Sequence, residues 1–153
     1  MTDQLELLLR YTDAVVPEED LEAKLEKGAP LRVKLGMDPT APAVTLGWAV
    51  VLRKLRQFQE MGHTAVLIVG DFTAQVGDPS DRSAQRKRLS ADEVEEYAEA
   101  VLGQFKKVLL EENLEIRHNS EWLAGIDMHD LLELTSSVTV AQMLERSDFA
   151  KRY

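Results

Sequence analysis

A short, unbroken apolar run, Ala65–Val69, most constrains what this chain can fold into. An apolar run of this length between turn signals is typical of a strand that is covered on both faces of a parallel sheet. An alternating strand, Leu31–Leu35, precedes it, and residues 47–60 between the two strands have helical periodicity. The apolar residues on the predicted face of that helix are Val51, Leu55 and Phe58. A strand, a helix and a strand in sequence predict a βαβ unit with a right-handed crossover.

The remaining segments extend this unit into an α/β domain. We predict helices over 4–10, from Pro17 to Gly28, from a capping box at Ser90–Glu93 to Leu110, near 128–136 and over 139–146, a strand over 114–117, and a long loop over 70–89. The three strands are predicted to be parallel neighbours. A length of 153 residues without an evident linker fits one domain, 1–153. The predicted fold is a Rossmann-like open parallel sheet with helices on both faces.

Composition narrows the classes of function. The chain has no cysteine, which excludes a disulfide scaffold and a thiolate zinc site and fits a reducing compartment. It has neither a signal-peptide pattern nor an apolar run of the ~18 residues that a membrane span needs, so we expect a cytoplasmic protein without a membrane partner. The net charge of −9 argues against binding to a long phosphate backbone.

The three histidines are scattered, and we interpret each as structural. His63 follows the glycine that ends the crossover helix, where a cation would suit the helix dipole. His118 and His129 lie far from it in the sequence. We expect no metal site.

Two loops follow predicted strands, at the edge of a parallel sheet where ligands bind. In the first, Gly36 and Gly47 would allow close approach of a ligand, Thr40 and Thr45 offer hydroxyls, and a helix begins near Gly47. An ordinary βα turn is the alternative interpretation.

The second loop follows the buried strand and contains two Gly-Asp pairs. Its Asp78 carboxylate could bind an amine, and a cluster of cations, Arg82, Arg86, Lys87 and Arg88, could bind phosphate. A solvated run of charges is the alternative for that cluster. The chain contains no P-loop and no G-x-G-x-x-G motif.

Several ordered motifs resemble bacterial tyrosyl-tRNA synthetase, a class I synthetase. They are Leu35–Pro42, Leu46-Gly47, Leu52–Phe58, Gly70–Ala74, Gly77–Ser80, Asn119–Leu123, Thr139–Ala141 and Met143–Arg146. The resemblance implies a Rossmann catalytic domain that forms tyrosyl-adenylate from tyrosine and ATP, with Mg²⁺, before charging tRNA.

The resemblance also implies roles for individual residues. By position, Gly36, Asp38, Thr40 and Gly47 are expected to bind the nucleotide; Lys34, Thr73 and Asp78 are expected to bind the amino-acid substrate, with Asp78 at its α-amino group; and Thr40, Arg82 and Arg86 are expected to act in catalysis. The two arginines would lie on the loop that steadies pyrophosphate.

The sequence departs from the family pattern in two ways. The signature His-x-Gly-His reads Thr45-Leu46-Gly47-Trp48, so both imidazoles expected at the ATP phosphates are absent, and Trp48 could fill space that the nucleotide needs. Asp81 replaces the usual glycine nearby. The chain also ends at Tyr153, before the tyrosine-binding helix, the second signature loop and the anticodon-binding region of the family.

Three functions remain open at this stage. The chain could be a tyrosine–tRNA ligase fragment with impaired activity and, by itself, little affinity for tRNA. It could instead be an engineered or degenerate scaffold that self-associates or binds another ligand. An unrelated nucleotide-binding Rossmann protein is the third and weakest hypothesis.

The resemblance also implies a two-fold homodimer through residues 128–153. That region carries Leu131, Leu132, Leu134, Val138, Val140, Met143, Leu144 and Phe149. The alternative is that these side chains complete the core of the monomer.

Overall fold

The computed structural model describes residues 3–76, 89–151 and 153. Its strands are β1 (Arg32–Met37), β2 (Thr64–Val69) and β3 (Leu114–His118). Its helices are α1 (Asp3–Leu9), α2 (Glu18–Glu26), α3 (Leu46–Glu60), α4 (Asp71–Val76), α5 (Ala91–Phe105), α6 (Ser120–Leu123), α7 (Met128–Ser136), α8 (Val140–Leu144) and α9 (Ser147–Ala150).

The three strands form one parallel sheet in the order β1-β2-β3. Arg32 lies opposite Thr64, and Ala65 lies opposite Leu114. The helix α3 joins β1 to β2, which confirms the predicted βαβ unit and the pairing of all three strands. The Rossmann-like α/β fold predicted from the sequence is therefore confirmed.

The helices α3 and α5 pack against one face of this sheet. Their buried residues Leu52, Leu55, Val101 and Phe105 meet alternate side chains of the three strands, including Leu67 of β2. Burying side chains of this size stabilises the fold by roughly 1.5–3 kcal/mol each relative to exposure.

The predicted inward face of α3 is partly wrong. Val51 is exposed, and Phe58 instead packs on a second cluster formed by the apolar side chains of α1 and α2. The buried residues of α3 are Leu52, Leu55 and Gln59. The error arises because the prediction followed apolar residues only, whereas the buried face of α3 continues from Leu55 to a polar residue, Gln59.

The opposite face of the sheet carries charged side chains. Arg32 on β1 forms an ion pair with Glu115 on β3 at 2.7 Å, so the pair spans the central strand. Val66 lies opposite Glu115 on β2 and is only 5% exposed. The second face of β2 is therefore shielded here by charged side chains of its neighbours. The Arg32 guanidinium lowers the pKa of Glu115 below its ordinary value.

Two predicted boundaries need correction around α5. The loop predicted over 70–89 contains α4, whose Ala74 is buried and donates its N–H to Gly70 O at 2.9 Å. The capping box at Ser90 and Glu93 is confirmed. However, α5 ends at Phe105 rather than Leu110, because the next residues form turns in which Lys107 N–H donates to Gln104 O and Val108 N–H donates to Phe105 O. Beyond these turns, the Leu110 N–H and C=O bond to the Gln59 side chain.

The C-terminal helices do not contribute to the core. From 124 to 151, no residue is buried in the described structure. The alternative in which this region completes the monomer core is therefore wrong for these residues. Among the helices that the structure describes, none has the length and apolar character needed to cross a membrane.

Candidate functional site

The loops that follow the three strands meet at the carboxyl edge of the sheet. Gly70 N–H donates to Met37 O at 2.8 Å and joins the end of β2 to that of β1. Asn119 N–H donates to Val69 O at 2.9 Å and joins the end of β3 to that of β2. Parallel strands necessarily place these ends together, so residues distant in sequence form one site.

A chain of three polar side chains crosses this edge. Thr73 Oγ1 donates to Asp38 Oδ1 at 2.8 Å and accepts from Asn119 Nδ2 at 2.9 Å. Asn119 Oδ1 accepts the Phe72 N–H at 2.9 Å, and Asn119 is buried. This bonding fixes the Asn119 amide and orients Thr73 toward Asp38, so one carboxylate is held in a defined position at the edge of the sheet.

Gly70 is required for this arrangement. A Cβ atom at position 70 would overlap the Asp38 carboxylate and lie 2.6 Å from Thr73 Oγ1. Only glycine therefore lets the end of β2 approach the loop after β1 this closely.

A second carboxylate, Asp71, is held by the loop after β3. Its Oδ2 accepts from Ser120 Oγ at 2.6 Å, and its Oδ1 accepts the N–H groups of Ser120 and Phe72, both at 2.9 Å. Burial opposes ionisation, but these hydrogen bonds outweigh it and lower the pKa of Asp71. His118 Nδ1 lies 3.4 Å from Asp71 Oδ2.

The first predicted loop is held by α5. Gln104 Nε2 donates to Pro42 O at 2.9 Å, and Gln104 Oε1 accepts the Val44 N–H at 3.3 Å. Within this loop Thr40 N–H donates to Asp38 O at 2.9 Å, in a tight turn. Gly36, Thr40 and Gly47 are all exposed, so the strand end and the helix start are accessible to a ligand.

The two altered signature positions have different surroundings. Thr45 is the N-cap residue of α3, but its side chain makes no capping hydrogen bond. The Trp48 ring packs against Phe105, with centroids 5.2 Å apart, and is half-buried at the margin of the core. The indole is thus a packing group between α3 and α5.

Lys34 lies apart from the Asp38–Thr73–Asn119 chain. It is exposed on the charged face of the sheet and lines a pocket of about 320 Å³ with Arg32, Arg117 and Trp122. The structure therefore brings Asp38 and Thr73 together, while Lys34 belongs to a neighbouring pocket.

Asp78, Asp81, Arg82 and Arg86 lie outside the described residues, and their predicted roles stay predictions. In the described parts of the chain, no three His, Asp or Glu side chains are arranged to hold a metal ion.

Asn119 and Asp71 were not predicted from the sequence as site residues. One signal was available for each, since Asn119 follows the third strand and Asp71 follows the second. Both therefore satisfy the rule that ligands bind beyond the carboxyl ends of parallel strands.

Sequence comparisons relate this chain to one family. The family model for tRNA synthetases class I (W and Y) matches residues 26–153. The chain is 51% identical to tyrosine–tRNA ligase of Deinococcus radiodurans, covering 99% of this chain and 38% of that protein. It is also 51% identical to tyrosine–tRNA ligase of Carboxydothermus hydrogenoformans, again covering 38% of that protein. The chain thus spans about two-fifths of the length of these relatives.

Comparisons of structure agree on the fold. Tyrosyl-tRNA synthetase of Archaeoglobus fulgidus, solved with L-tyrosine, aligns with a TM-score of 0.72 and 24% identity over 89% of this chain and 40% of that chain. A C-terminally truncated mitochondrial tyrosyl-tRNA synthetase of Aspergillus nidulans aligns with a TM-score of 0.73 and 19% identity over 97% of this chain and 46% of that chain.

Proposed function

Because the chain belongs to the class I tRNA synthetases of the tryptophan and tyrosine type, we propose that residues 1–153 form one nucleotide-binding domain from the catalytic part of a tyrosine–tRNA ligase. In this proposal it binds tyrosine and ATP at the carboxyl edge of the sheet, and its own formation of tyrosyl-adenylate is impaired. The observation that carries the proposal is the hydrogen-bonded series of side chains Asp38–Thr73–Asn119, which lies in a sequence 51% identical to tyrosine–tRNA ligases.

The amino-acid end of the site suits an ammonium group. Thr73 on α4 holds the Asp38 carboxylate, and Asp78 follows Thr73 by five residues in the sequence. A carboxylate binds an ammonium group through charge and hydrogen bonding. We therefore assign the α-amino group of tyrosine to Asp78, with Thr73 as a second residue of the amino-acid site.

The nucleotide end of the site has fewer side-chain donors for ATP than the family pattern implies. In the reaction, a carboxylate oxygen of tyrosine attacks the α-phosphorus of ATP, and the bond to pyrophosphate breaks. The first N–H groups of α3 at Leu46 and Gly47 remain as donors to phosphate, and Gly36 and Thr40 are exposed nearby. Arg82, Arg86 and Mg²⁺ would neutralise the charge that develops on pyrophosphate.

The missing imidazoles account for the proposed impairment. Removing one well-placed donor to a transition state typically costs about 10²–10³ in rate. Thr45 is too short to replace an imidazole, and the Trp48 indole is engaged with Phe105. The transition state would therefore keep backbone donors but lose two side-chain donors.

Exchange of ATP with pyrophosphate in the presence of tyrosine tests the activity. We expect negligible exchange, with a rate at least ~10³-fold below that of a complete tyrosine–tRNA ligase, because two donors to the transition state are absent. The losses from the two positions combine, but they need not be additive. The double substitution Thr45→His, Trp48→His should raise the affinity for ATP measured by calorimetry. Exchange within about tenfold of the complete enzyme would contradict the impairment.

Binding of tyrosine tests the site independently of catalysis. Thr73→Val removes the hydroxyl that bonds to Asp38 and Asn119 and leaves the Asn119 amide and the Asp38 carboxylate without that partner. We expect calorimetry to show a loss of about tenfold in tyrosine affinity, as for a hydrogen bond to a charged group. Thr73→Ser keeps the hydroxyl and should bind nearly as tightly as the original chain. Equal affinities for all three chains would remove Thr73 from the site.

A second candidate function is a self-associating scaffold without catalysis. The exposed apolar side chains of α7 and α8 favour it, since contiguous apolar surface commonly marks an interface. The two candidates differ in tyrosine binding, which the scaffold does not require. A chain that associates but does not bind tyrosine at millimolar concentration would favour the scaffold.

A further inference from the structure

The side of α3 that faces away from the sheet carries two adjoining grooves. One, the apolar groove, has a volume of about 460 Å³ and is lined by Tyr11, Val50 and Val51. The other, the basic groove, has a volume of about 550 Å³ and is lined by Arg53, Arg56 and Lys107. Arg53 and Gln57 contribute to both, so the two grooves form one continuous surface. It is separate from the Asp38–Thr73–Asn119 chain.

Two cations of α3 hold the walls of this surface in place. Lys54 Nζ donates to Leu8 O at 3.0 Å and to Arg10 O at 2.9 Å, which fixes the end of α1 against α3. Arg56 Nη1 donates to Val108 O at 2.7 Å, which fixes the segment after α5 on the other side. Both grooves are therefore preformed, and a ligand would not have to order their walls.

Tyr11 stands out in the apolar groove. Its φ angle of 61° places it in the left-handed region just after α1, and its side chain is 97% exposed. A non-glycine residue in this region is strained, and such residues are often associated with function. Exposed tyrosines are also enriched at interfaces because they supply apolar area together with a polar group. This strained backbone presents an aromatic ring beside Val50, which is 72% exposed.

The basic groove has cations available for a ligand. Arg53 and Lys107 have no hydrogen-bond or ion-pair partner among the described residues, whereas Arg56 is engaged with Val108 and Glu60. The chain as a whole carries −9, so this groove is a local reversal of charge. Gln57 Oε1, in the wall shared by both grooves, is shielded from solvent and has no donor. The groove thus offers positive charge and one unmatched acceptor.

We propose that the two grooves form one docking surface for an acidic amphipathic peptide segment of a partner protein. Aliphatic side chains of the segment occupy the apolar groove against Tyr11 and Val50, while its carboxylates meet Arg53 and Lys107. A nucleic acid fits less well, because its backbone offers nothing to the apolar half. An uncharged apolar ligand leaves the basic half unused. The proposal does not depend on the proposed ligase function.

A defined probe tests this surface on the whole chain. The probe is a fluorescein-labelled synthetic helix of leucine and glutamate, with the leucines on one face, and the readout is anisotropy at low salt. We expect saturable binding that weakens as salt rises, since exposed charges are screened over about 10 Å at 0.1 M. Val50→Asp and Arg53→Glu should each weaken binding at least ~tenfold, as for side chains at the centre of an interface.

The matched control is Lys24→Glu, an equal change of charge on the exposed surface of α2. It should leave the affinity within about twofold, because surface charges distant from an interface act mainly through screened, long-range fields. Circular dichroism of each variant verifies the fold. Loss of binding on Lys24→Glu equal to that on Arg53→Glu would overturn the proposal, as would indifference to Val50→Asp. Equal affinity for heparin and for the peptide would identify a surface for polyanions and overturn the proposal. Peptide binding that does not saturate would also overturn it.

Discussion

His63 shows how burial, together with a hydrogen bond from the backbone, disfavours the charged form of an imidazole. The sequence predicted a structural histidine that would suit the helix dipole as a cation. The structural role is confirmed, but the cationic interpretation is wrong. Nδ1 accepts the Leu31 N–H at 3.1 Å, so the proton of the neutral ring lies on Nε2, and the ring packs near Phe58 with centroids 5.8 Å apart. His63 is 5% exposed, and burial lowers its pKa below the ordinary 6.5.

This environment predicts acid sensitivity of the fold. A histidine with a lower pKa when folded than when unfolded contributes stability that is present above its unfolded pKa and is lost as pH falls below it. Urea unfolding should therefore show a lower free energy of unfolding at pH 5.5 than at pH 7.5. His63→Gln should reduce this difference, while His129→Gln on the exposed surface of α7 should leave it unchanged. A difference that is identical in all three chains would contradict the role of His63.

The site residues differ in whether they could be predicted from the sequence. Asp38 and Thr73 were expected from the resemblance, and the structure places their side chains in contact. Asn119 was missed although its position after the third predicted strand was a signal, and its bonding partners depend on the register of β3, which brings its N–H to Val69 O. That register is a property of the assembled sheet and is not encoded in the residues near Asn119.

At the scale of elements, apolar periodicity identified all three strands and the crossover helix. It failed where a polar side chain is buried and forms structural hydrogen bonds. Gln59, 4% exposed, donates from Nε2 to Leu110 O at 2.9 Å and accepts the Leu110 N–H at 3.0 Å, so it anchors the connection between α5 and β3. The helix α4 was missed for a related reason, since glycine, aspartate and threonine at its start predict a loop.

Two glutamines on α3, Gln59 and Gln57, form a matched pair for testing whether Gln59 anchors the connection between α5 and β3. Gln59→Leu leaves both polar groups of Leu110 without their side-chain partner and should lower the free energy of unfolding by about 1–3 kcal/mol. Gln57→Leu removes an oxygen that has no donor and should be neutral or slightly stabilising. Urea unfolding of both variants measures the contrast. Equal destabilisation would mean that the hydrogen bonds between Gln59 and Leu110 do not account for the loss.

At the scale of the whole molecule, the described residues divide into a large packed part and a smaller unpacked part. The described residues up to about 120, within 3–76 and 89–120, form both buried clusters, whereas 124–151 contribute no buried side chain. The sequence predicted surplus apolar surface in this region because two short helices cannot bury so many leucines and valines. Exposure of that surface is confirmed, while the two-fold homodimer stays a prediction, because what covers an exposed surface is not a property of the isolated chain.

Self-association is the expected consequence of this exposed surface. Leu132, Leu134 and Val140 are each more than half exposed, and Met143 is 43% exposed. A two-fold axis would bury the same patch on both copies, which is the commonest arrangement in homo-oligomers. We expect sedimentation at ~100 µM to show a dimer, a concentration at which even a micromolar interface is largely occupied. Met143→Asp should shift it toward monomer, because a carboxylate would be desolvated twice per dimer, while Val16→Asp, an exposed position outside this region, should not. A monomer at that concentration would mean that the apolar surface is covered by something other than a second copy.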